Sequence, residues 1–327
     1  MNYEEPYRKR NSRRQRRRRG PGGCLVALLL RLLALILALV VLGVGLLYAL
    51  PVSLFAVEPE DANLSLAGDL PTNRANILLL GLDMARENSR RSDAILIATI
   101  GYGDLRLTSI LRDTLVEIPG YGTGKLNAAY AHGGPELVMR TLNENFGLNI
   151  MHYVAVDFTA LVDLVDALGG VDVNVTEAEM TRINQNLDAA RGRFESLGYS
   201  APPLTQCGEN THLNGVQALY YARIRKLDSD FMRASRQRAL LEAMLARLRS
   251  NLWNPMLLNR LGRTILRSVD TNMSPIQLLS LGEKALLSGV PKTTRLPVDG
   301  SYTDDGASLR VTDPQKNINA FRMFAYD

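Results

Sequence analysis

The segments Asn76-Ile-Leu-Leu-Leu80 and Asp93-Ala-Ile-Leu-Ile-Ala-Thr-Ile100 are short apolar runs in a chain of 327 residues. Continuous apolar runs of this length are typical of strands that are buried on both faces of a sheet. A third run, Leu105-Arg-Leu-Thr-Ser-Ile-Leu111, follows the second after Gly101-Tyr-Gly-Asp104, whose glycines favour a hairpin turn. We therefore predict three strands of one sheet, with the second and third joined as a hairpin.

Helix and strand patterns alternate along the following part of the chain. A helical pattern covers Asn127 to Phe146 and is interrupted at Gly133-Gly134-Pro135. Strand patterns cover Tyr153-Val-Ala-Val-Asp157 and Val171-Asp-Val-Asn-Val175, and a helix is predicted between them, from Phe158 to Leu168. This alternation is typical of an α/β protein, and we predict an α-β-α sandwich with a mixed central sheet.

Two other segments have less regular patterns. Residues 176–212 are polar, and we predict a loop-rich excursion there. Residues 250–327 predict two helices and a short pair of strands, to which no function is assigned from the sequence.

The amino terminus combines a basic segment with a long apolar run. Residues 1–23 contain nine basic and two acidic side chains, and this composition predicts a disordered tail. Residues 24–50 are apolar apart from Arg31 and are long enough to span a bilayer. Because basic flanks stay on the cytoplasmic side, we predict a single-pass protein of the cell membrane with a cytoplasmic N-terminus. A cleaved signal peptide is the alternative, although no clean small-x-small cleavage site follows the run.

The rest of the chain is predicted to lie outside the cytoplasm. Residues 51–72 contain several Pro and Gly residues and predict a linker, and residues 73–327 predict one extracytoplasmic domain. Beyond residue 31 the chain has 28 basic and 31 acidic side chains. A nearly neutral, slightly acidic domain argues against a nucleic-acid-binding surface.

Two aspartates flank the loop between the first two predicted strands. Asp83 closes the first strand and Asp93 opens the second. If the strands are neighbours, both carboxylates lie at one edge of the sheet, and a pair of carboxylates is a common way to hold Mg²⁺. Aspartates at strand ends are also frequent turn or cap residues, so the spacing leaves both interpretations open.

Paired charges are concentrated between Tyr220 and Arg238. Arg223 and Arg225 are two residues apart, so they would project from one face of an extended strand. Asp230 is predicted to be the N-cap of a helix, with Asp228 as the alternative aspartate facing a ligand.

Further basic side chains follow in the predicted helix after Asp230. Arg233, Arg236 and Gln237 follow Asp230 at spacings that place them along one side. Several guanidinium groups at a helix start form a site for a multiply charged anion such as phosphate or pyrophosphate. A solvated helix face with salt bridges is the alternative.

Two further basic residues lie next to predicted elements. Arg112-Asp113 follows the third strand directly, at the edge of the same layer. Lys125 and Asn127 lie at a loop-to-helix junction, where free backbone N–H groups favour anions. The alternative is that Lys125 is an ordinary surface lysine. The three histidines have neither metal-ligand spacing nor a nucleophile partner, so we predict no zinc site and no catalytic triad.

Seven short motifs occur in one order along the chain. They are Gly81-Leu-Asp83, Arg91-Ser-Asp93, Arg112-Asp113-Thr114, Lys125-Leu-Asn127-Ala-Ala-Tyr130, Val156-Asp157-Phe158, Leu164-Val-Asp-Ala-Leu-Gly169-Gly170-Val171-Asp172-Val173, and Tyr221-Ala-Arg223-Ile-Arg225 with Arg233-Ala-Ser-Arg236-Gln237. From about Asn76 to Ala246, these motifs and the layout of anchor and outer domain resemble the LytR-CpsA-Psr family of cell-envelope enzymes.

The resemblance implies a Mg²⁺-dependent phosphotransferase, with Mn²⁺ as an alternative ion. The enzyme would take a glycopolymer from a polyprenyl-pyrophosphate carrier and attach it to peptidoglycan through a phosphodiester bond. Asp83 and Asp93 would hold the metal, and Asp230 would orient or deprotonate the acceptor hydroxyl. Arg112 and Arg223 would act in catalysis by stabilising the charge that develops on the phosphates. The residues implied around the pyrophosphate are Arg91, Arg112, Lys125, Arg223, Arg225, Arg233 and Gln237.

Two other functions remain open from the sequence. The same metal and arginines would serve a polyprenyl-pyrophosphate hydrolase that uses water as the acceptor. A non-enzymatic envelope regulator or wall-binding module is the second alternative. The predicted topology argues against a nucleic-acid partner, since only residues 1–23 would reach the cytoplasm.

Overall fold

The computed structural model of the chain describes residues 63–83, 90–101, 103–224, 227 and 230–327, and six single positions between 35 and 49. The chain divides into two units, residues 1–49 and residues 50–327. The six described residues of the first unit are helical. The predicted tail, residues 1–23, and most of the predicted anchor, residues 24–50, lie outside the described residues. No helix among the described residues is long and apolar enough to cross a membrane.

The described part of the second unit contains twelve strands in three sheets. In chain order they are β1 (Ala75–Leu82), β2 (Ser92–Gly101), β3 (Asp104–Ile110), β4 (Thr114–Ile118), β5 (Gly122–Lys125), β6 (His152–Val156), β7 (Val171–Val175), β8 (Gly208–Leu213), β9 (Val269–Thr271), β10 (Lys292–Leu296), β11 (Tyr302–Asp304) and β12 (Leu309–Val311).

Eight α-helices are described in the same unit. In chain order they are α1 (Ala129–Phe146), α2 (Phe158–Ala167), α3 (Glu177–Ser196), α4 (Gly215–Ala222), α5 (Asp230–Ser250), α6 (Pro255–Ser268), α7 (Pro275–Leu287) and α8 (Pro314–Tyr326).

The central sheet has six strands in the order β10-β3-β2-β1-β6-β9. β1 is antiparallel to β2 and parallel to β6, so the sheet is mixed, as predicted. β2 and β3 form the predicted hairpin, with Gly103 in the left-handed region at a φ of 69°. A second sheet has the order β11-β12-β4-β5, and β7 pairs with β8.

Helices cover both faces of the central sheet. Because side chains alternate along a strand, β1 contributes to two separate cores. Leu78 and Leu80 pack in a cluster with Leu142 of α1, whereas Ile77 packs in a cluster with Leu281 of α7. The predicted mixed α/β fold, with helices on both faces of a mixed sheet, is therefore confirmed.

The prediction of a loop-rich excursion at residues 176–212 was wrong, because α3 and β8 occupy most of this segment. α3 is polar over most of its surface and buries few apolar side chains, among them Ile183, Leu187 and Phe194. Thr176 and Glu179 form a capping box at its start, and this pattern was the available sequence signal.

The carboxyl-terminal segment is richer in structure than predicted. Residues 250–327 contain three helices, α6, α7 and α8, where two were predicted. β9 and β10 add the two edge strands of the central sheet, and β12 pairs in parallel with β4. The segment therefore completes sheets that begin much earlier in the chain.

Residues 63–72, which were predicted as part of the linker, pack against the domain. Leu64 and Leu70 are buried, and Leu64 belongs to the same core cluster as β1. The side chain of Asn143 in α1 donates a hydrogen bond to the carbonyl of Leu64 at 2.8 Å. The second half of the predicted linker therefore contributes to the core.

Candidate active site

Asp83 and Asp93 lie at the same end of β1 and β2. The backbone N–H of Asp83 donates to the carbonyl of Arg91 at 3.1 Å, and the N–H of Arg91 donates to Oδ1 of Asp83 at 3.1 Å. The register shifts between Gly81 and Leu82, which pair with Ala94 and Ser92, so Asp93 is the extra residue of a β-bulge. The predicted placement of both aspartates at one edge of the sheet is confirmed, and the backbone of Arg91 lies beside Asp83.

Arg112 connects Asp93 to the end of β3. Its guanidinium donates to Oδ1 of Asp93 at 2.6 Å and to Oδ2 of Asp113 at 3.0 Å. The three side chains are each less than 20% exposed. Charge-assisted hydrogen bonds in such a partly buried setting fix the orientation of the guanidinium.

Lys125 joins the same group of charges from the end of β5. Its ammonium donates to Oδ1 of Asp113 at 3.0 Å and to the backbone carbonyl of Ala307 at 2.7 Å. Ala307 lies in the turn between β11 and β12. The carboxyl-terminal hairpin therefore forms one wall of the site, and the interpretation of Lys125 as an ordinary surface lysine is not supported.

Asp230, the first residue of α5, forms a carboxyl pair with Asp113. Burial raises the pKa of Asp230, and its hydrogen bond with Asp113 raises it further, against the opposing charges of Arg233 and Arg112. Burial also acts to raise the pKa of Asp113, but hydrogen bonds with Lys125, Asp230 and Arg112 lower it overall. The pKa shifts of the two carboxyls are therefore opposite, and as the pH falls Asp230 takes up a proton before Asp113 does.

Arg223 lies directly after α4, and not at the end of a strand as predicted. A capping box of Asn214 and Gln217 starts this helix, and Arg223 is its C-cap. The guanidinium of Arg223 lies over the ring of Phe158, 4.0 Å from the ring centroid. Stacking on an aromatic ring fixes the orientation of a guanidinium group, whose N–H donors point outward in its own plane. Arg225 and Asp228 lie outside the described residues.

Arg233 and Arg236 of α5 have different surroundings. Arg233 is buried and forms an ion pair with Asp230 at 2.8 Å. Arg236 is also buried, and its guanidinium donates to Oε1 of Glu179 in α3 at 2.6 Å. Arg233 therefore belongs to the charged group of the site, whereas Arg236 connects α5 to α3.

Replacing Glu179 by alanine is expected to destabilise the protein by about 3–5 kcal/mol, since Arg236 would lose its carboxylate while staying buried. Burial alone would raise the pKa of Glu179, but hydrogen bonds with Thr176 and Arg236 lower it overall. The stabilisation is therefore present above the ordinary glutamate pKa and is lost as the pH falls through the lowered value. Urea unfolding at neutral and acidic pH measures both effects, and an exposed Glu195→Ala variant in the same helix is the control.

An apolar cavity of about 250 Å³ opens beside these charges. Its polar lining consists of Asp93, Asp157, Arg223 and Gln237. The rest of the lining is apolar and comes from β1, β2, β6, α2, α4 and α5, and it includes Leu161, Leu164, Leu219, Leu240, Leu241 and Met244. An apolar cavity with arginine and carboxylate groups in its lining suits a ligand with a hydrocarbon tail and an anionic head.

The donor set at Asp83 and Asp93 fits Mg²⁺. This ion is usually held by one or two protein carboxylates, with substrate phosphates and water completing its shell. Among the described residues no group of three or more His, Cys, Asp or Glu side chains is arranged to hold a metal. Two aspartates therefore fit an ion shared with a phosphate ligand better than an all-protein metal site.

Sequence reasoning gave no role to three parts of the site. Asp113 was visible in the Arg112-Asp113 motif, but its pairing with Asp230 depends on the fold. Phe158 was visible in the Val156-Asp157-Phe158 motif, but its stacking under Arg223 was not expected. Ala307 contributes only a backbone carbonyl, and no side-chain signal could have identified it.

Comparisons with known proteins agree with this architecture. The model of the LytR_cpsA_psr family matches residues 56–322. The regulatory protein MsrR of Staphylococcus aureus (strain COL) is 31% identical over 258 residues, which cover 75% of this chain and 72% of the relative. A Bacillus mycoides protein named polyisoprenyl-teichoic acid–peptidoglycan teichoic acid transferase TagU is 32% identical over 242 residues, which cover 71% of each chain.

Solved structures of TagT share the fold. TagT bound to LIIa-WTA is 24% identical, with a TM-score of 0.62, and the match covers 82% of this chain and 97% of that one. TagT with bound octaprenyl pyrophosphate lipid is 23% identical, with a TM-score of 0.56, and the match covers 77% and 89%. The matched family model spans most of the second unit and all of the described site residues. This chain therefore belongs to the LytR-CpsA-Psr family.

Proposed function

We propose that this protein is a phosphotransferase that moves a glycopolymer from a polyprenyl-pyrophosphate carrier to peptidoglycan through a phosphodiester bond. The apolar cavity that ends at Asp93, Arg223 and Gln237 carries the proposal. The apolar lining matches the hydrocarbon tail of a lipid pyrophosphate, and the polar end matches its phosphates. The name of the TagU relative and the lipid bound in the TagT complex are consistent with this chemistry.

The donor would bind with its hydrocarbon tail in the cavity and its pyrophosphate at the charged end. Arg223 is preorganised by Phe158, and Arg112 is held by two carboxylates. Guanidinium groups fixed in this way stabilise charge on phosphate oxygens without reorganising during the reaction. Arg91, Lys125, Arg233, Gln237 and Arg225 are proposed to complete the surroundings of the pyrophosphate.

Asp83 and Asp93 are proposed to hold Mg²⁺, with Mn²⁺ as an alternative ion. A divalent ion bound there would neutralise negative charge on the two phosphates. The bulge at Asp93 and the hydrogen bond from the Arg91 amide orient the two carboxylates from the protein side.

An Asp93→Asn variant is expected to need a higher Mg²⁺ concentration to reach half of its maximal rate. Titrating the ion at fixed donor concentration measures this effect.

The acceptor is proposed to approach Asp230 from a cleft of about 290 Å³ lined by Asp113, Asp230, Phe231 and Asp304. In its ionised form Asp230 accepts the proton of a peptidoglycan sugar hydroxyl. The hydroxyl oxygen then bonds to the phosphorus that carries the glycan, and the bond from this phosphorus to the bridging oxygen breaks. The products are the glycan–peptidoglycan phosphodiester and polyprenyl phosphate, and the proton stays on the Asp113–Asp230 pair.

The decisive experiment supplies the full chain with a labelled lipid-linked glycan, Mg²⁺ and peptidoglycan fragments. Label attached to peptidoglycan is the expected result. Free glycan phosphate as the only product, with acceptor present, would instead support the hydrolase and contradict the transferase. Donor binding without turnover under any condition would support the wall-binding or regulatory role.

Filling the cavity is expected to weaken the binding of donors with long polyprenyl chains. Met244 lines the cavity, and a Met244→Trp substitution would occupy part of its volume. We expect the KM for a long polyprenyl donor to rise about tenfold, with a smaller change for a short-chain donor. Met323→Trp, at an exposed position of α8, is the control. Equal effects on both donors would contradict the placement of the tail.

We also propose that the chain works at the cell membrane, with residues 24–50 as a single-pass anchor and residues 1–23 in the cytoplasm. This arrangement would keep the catalytic domain and a lipid-linked donor at one surface. Protease added outside intact cells is expected to digest the domain while a tag placed at the amino terminus stays protected. Protection of both ends would contradict the predicted topology.

A further inference from the structure

Large apolar side chains are exposed where α5 and α7 end. Trp253 in the α5–α6 connection is 93% exposed, Met256 at the start of α6 is 83% exposed, and Val290 after α7 is 84% exposed. Leu287, the last residue of α7, is also exposed. We call these four residues the distal surface. Four large apolar groups in one region exceed the scattered exposure that is normal for a soluble surface.

Hydrogen bonds hold the two parts of the distal surface together. Arg249, near the end of α5, donates to the backbone carbonyls of Leu286 at 2.8 Å and of Ala285 and Gly289 at 3.0 Å each. These bonds place the connection that carries Trp253 beside the end of α7, which carries Leu287. The four apolar residues therefore form one region of the surface.

A basic stripe continues from the distal surface along α6. Met256, Arg260, Arg263 and Arg267 follow at intervals of four, three and four residues, so they share one side of the helix. The three arginines are exposed, whereas Leu257 and Leu261 on the adjacent side of the helix are buried. The stretch from residue 244 to residue 269 contains five arginines and no acidic residue.

Acidic residues near the stripe have other partners. Asp163 and Asp166 of α2 line a groove of about 550 Å³ together with Arg260, Arg263 and Arg267. Asp163 accepts a hydrogen bond from the hydroxyl of Tyr199 at 2.9 Å, and Asp166 accepts one from the amide of Gly215 at 2.7 Å. These donors are neutral, so both carboxylates keep their charge, and the three arginines leave the lining of the groove with one more basic than acidic side chain.

The position of the distal surface relates it to the apolar cavity. α5 begins at Asp230 in the charged site, passes the cavity at Gln237 and Met244, and ends next to Trp253. At a rise of 1.5 Å per residue, its 21 residues span about 30 Å. The distal surface thus lies beyond the apolar end of the cavity, away from the carboxyl pair.

We propose that the distal surface and the basic stripe of α6 dock on an anionic phospholipid membrane. Exposed tryptophan and aliphatic side chains next to arginines are the combination that binds at the boundary between head groups and acyl chains. The apolar side chains enter this boundary, and the arginines contact lipid phosphates. Because the stripe is positively charged, it favours an anionic lipid surface. A second copy of this chain would present the same positive charge and is therefore disfavoured.

Docking in this orientation directs the apolar end of the cavity towards the membrane. If the proposed function holds, the carrier tail then leaves the bilayer beside the cavity, while the carboxyl pair faces the wall. The docking itself does not depend on the proposed function, so the two can fail separately.

Trp253 provides a direct test because it is the only tryptophan in the chain. The full chain is reconstituted in phosphatidylcholine vesicles that contain increasing amounts of phosphatidylglycerol. We expect the emission of Trp253 to shift to shorter wavelength as phosphatidylglycerol increases, and lipids with brominated acyl chains should quench it. Emission that stays at long wavelength and is quenched by acrylamide at every composition would overturn the proposal.

Charge variants test the role of the stripe. In Arg263→Gln/Arg267→Gln, the ratio of docked to undocked protein should fall about 25-fold, since each basic side chain near an anionic surface contributes a factor of about five. Arg182→Gln/Arg193→Gln removes the same charge from α3 and should leave docking unchanged. Equal losses in both variants would overturn a specific docking surface. A shift that depends on protein concentration without quenching by brominated lipid would show a second copy on this surface and would also overturn the proposal.

Discussion

Replacement of Arg223 by alanine should lower the rate of glycopolymer transfer by about 10²–10³-fold while the domain stays folded. Arg223 is the C-cap of α4, borders the apolar cavity, and is stacked on Phe158 at 4.0 Å. Such a fixed donor stabilises charge on the leaving phosphate without reorganisation. The substitution removes both the charge and the planar pair of donors, and truncation at the edge of a cavity leaves the surrounding core in place.

Comparing two substitutions of Arg223 distinguishes the effect of its charge from the effect of its planar geometry. Arg223→Lys keeps the charge but loses the planar fork and part of the stacking, so its rate should lie between those of the wild type and Arg223→Ala. Arg193→Ala, on the exposed side of α3, is the matched control and should retain the full rate. Initial rates with saturating acceptor, together with circular dichroism, provide the measurement. Full transfer by Arg223→Ala would show that Arg223 does not act in catalysis.

Asp230→Asn should reduce transfer by about 10²–10⁴-fold, because an amide cannot accept the proton of the acceptor hydroxyl. Donor binding should change little, since the arginines and the two aspartates proposed to hold Mg²⁺ stay in place. Equilibrium binding of the donor and single-turnover transfer distinguish these two outcomes. A variant that binds donor weakly but transfers normally at saturation would assign Asp230 to binding instead.

The pH dependence of transfer should identify the role of Asp113. The ionised form of Asp230 accepts the proton, so the rate falls as the pH decreases through its raised pKa. Asp113 raises that pKa through its charge and its hydrogen bond. Asp113→Asn should therefore move the acidic limb of the rate profile to lower pH. An unchanged limb in this variant would show that another group controls it.

The strands next to Asp83 and Asp93 were predictable because they are continuous apolar runs. Asn76 to Leu80 and Asp93 to Ile100 are apolar over most of their length, and strands of a buried sheet require this composition. The antiparallel pairing of β1 and β2 then determines that Asp83 and Asp93 lie at one edge. Local pattern and chain order were sufficient for this half of the site.

The other half of the site depends on packing between distant segments. Arg223 was assigned to a strand because Arg223 and Arg225 alternate, whereas the capping box at Asn214 and Gln217 starts a helix. α3 was missed because it is mostly polar and is held to α5 by the buried pair of Glu179 and Arg236. Neither the Asp113–Asp230 pair nor the carbonyl of Ala307 has a signal in local sequence.

The bond from Lys125 to Ala307 joins residues that are 182 positions apart. β12 also pairs with β4, so the wall formed by the last hairpin closes only after the carboxyl-terminal part of the chain has folded. During synthesis, the early segments hold nearly all the arginines and carboxylates of the site before this wall exists. Contacts of such long range form late, because the intervening chain must first be ordered. We therefore expect the site to be complete only after the carboxyl-terminal hairpin has folded against β4 and Lys125.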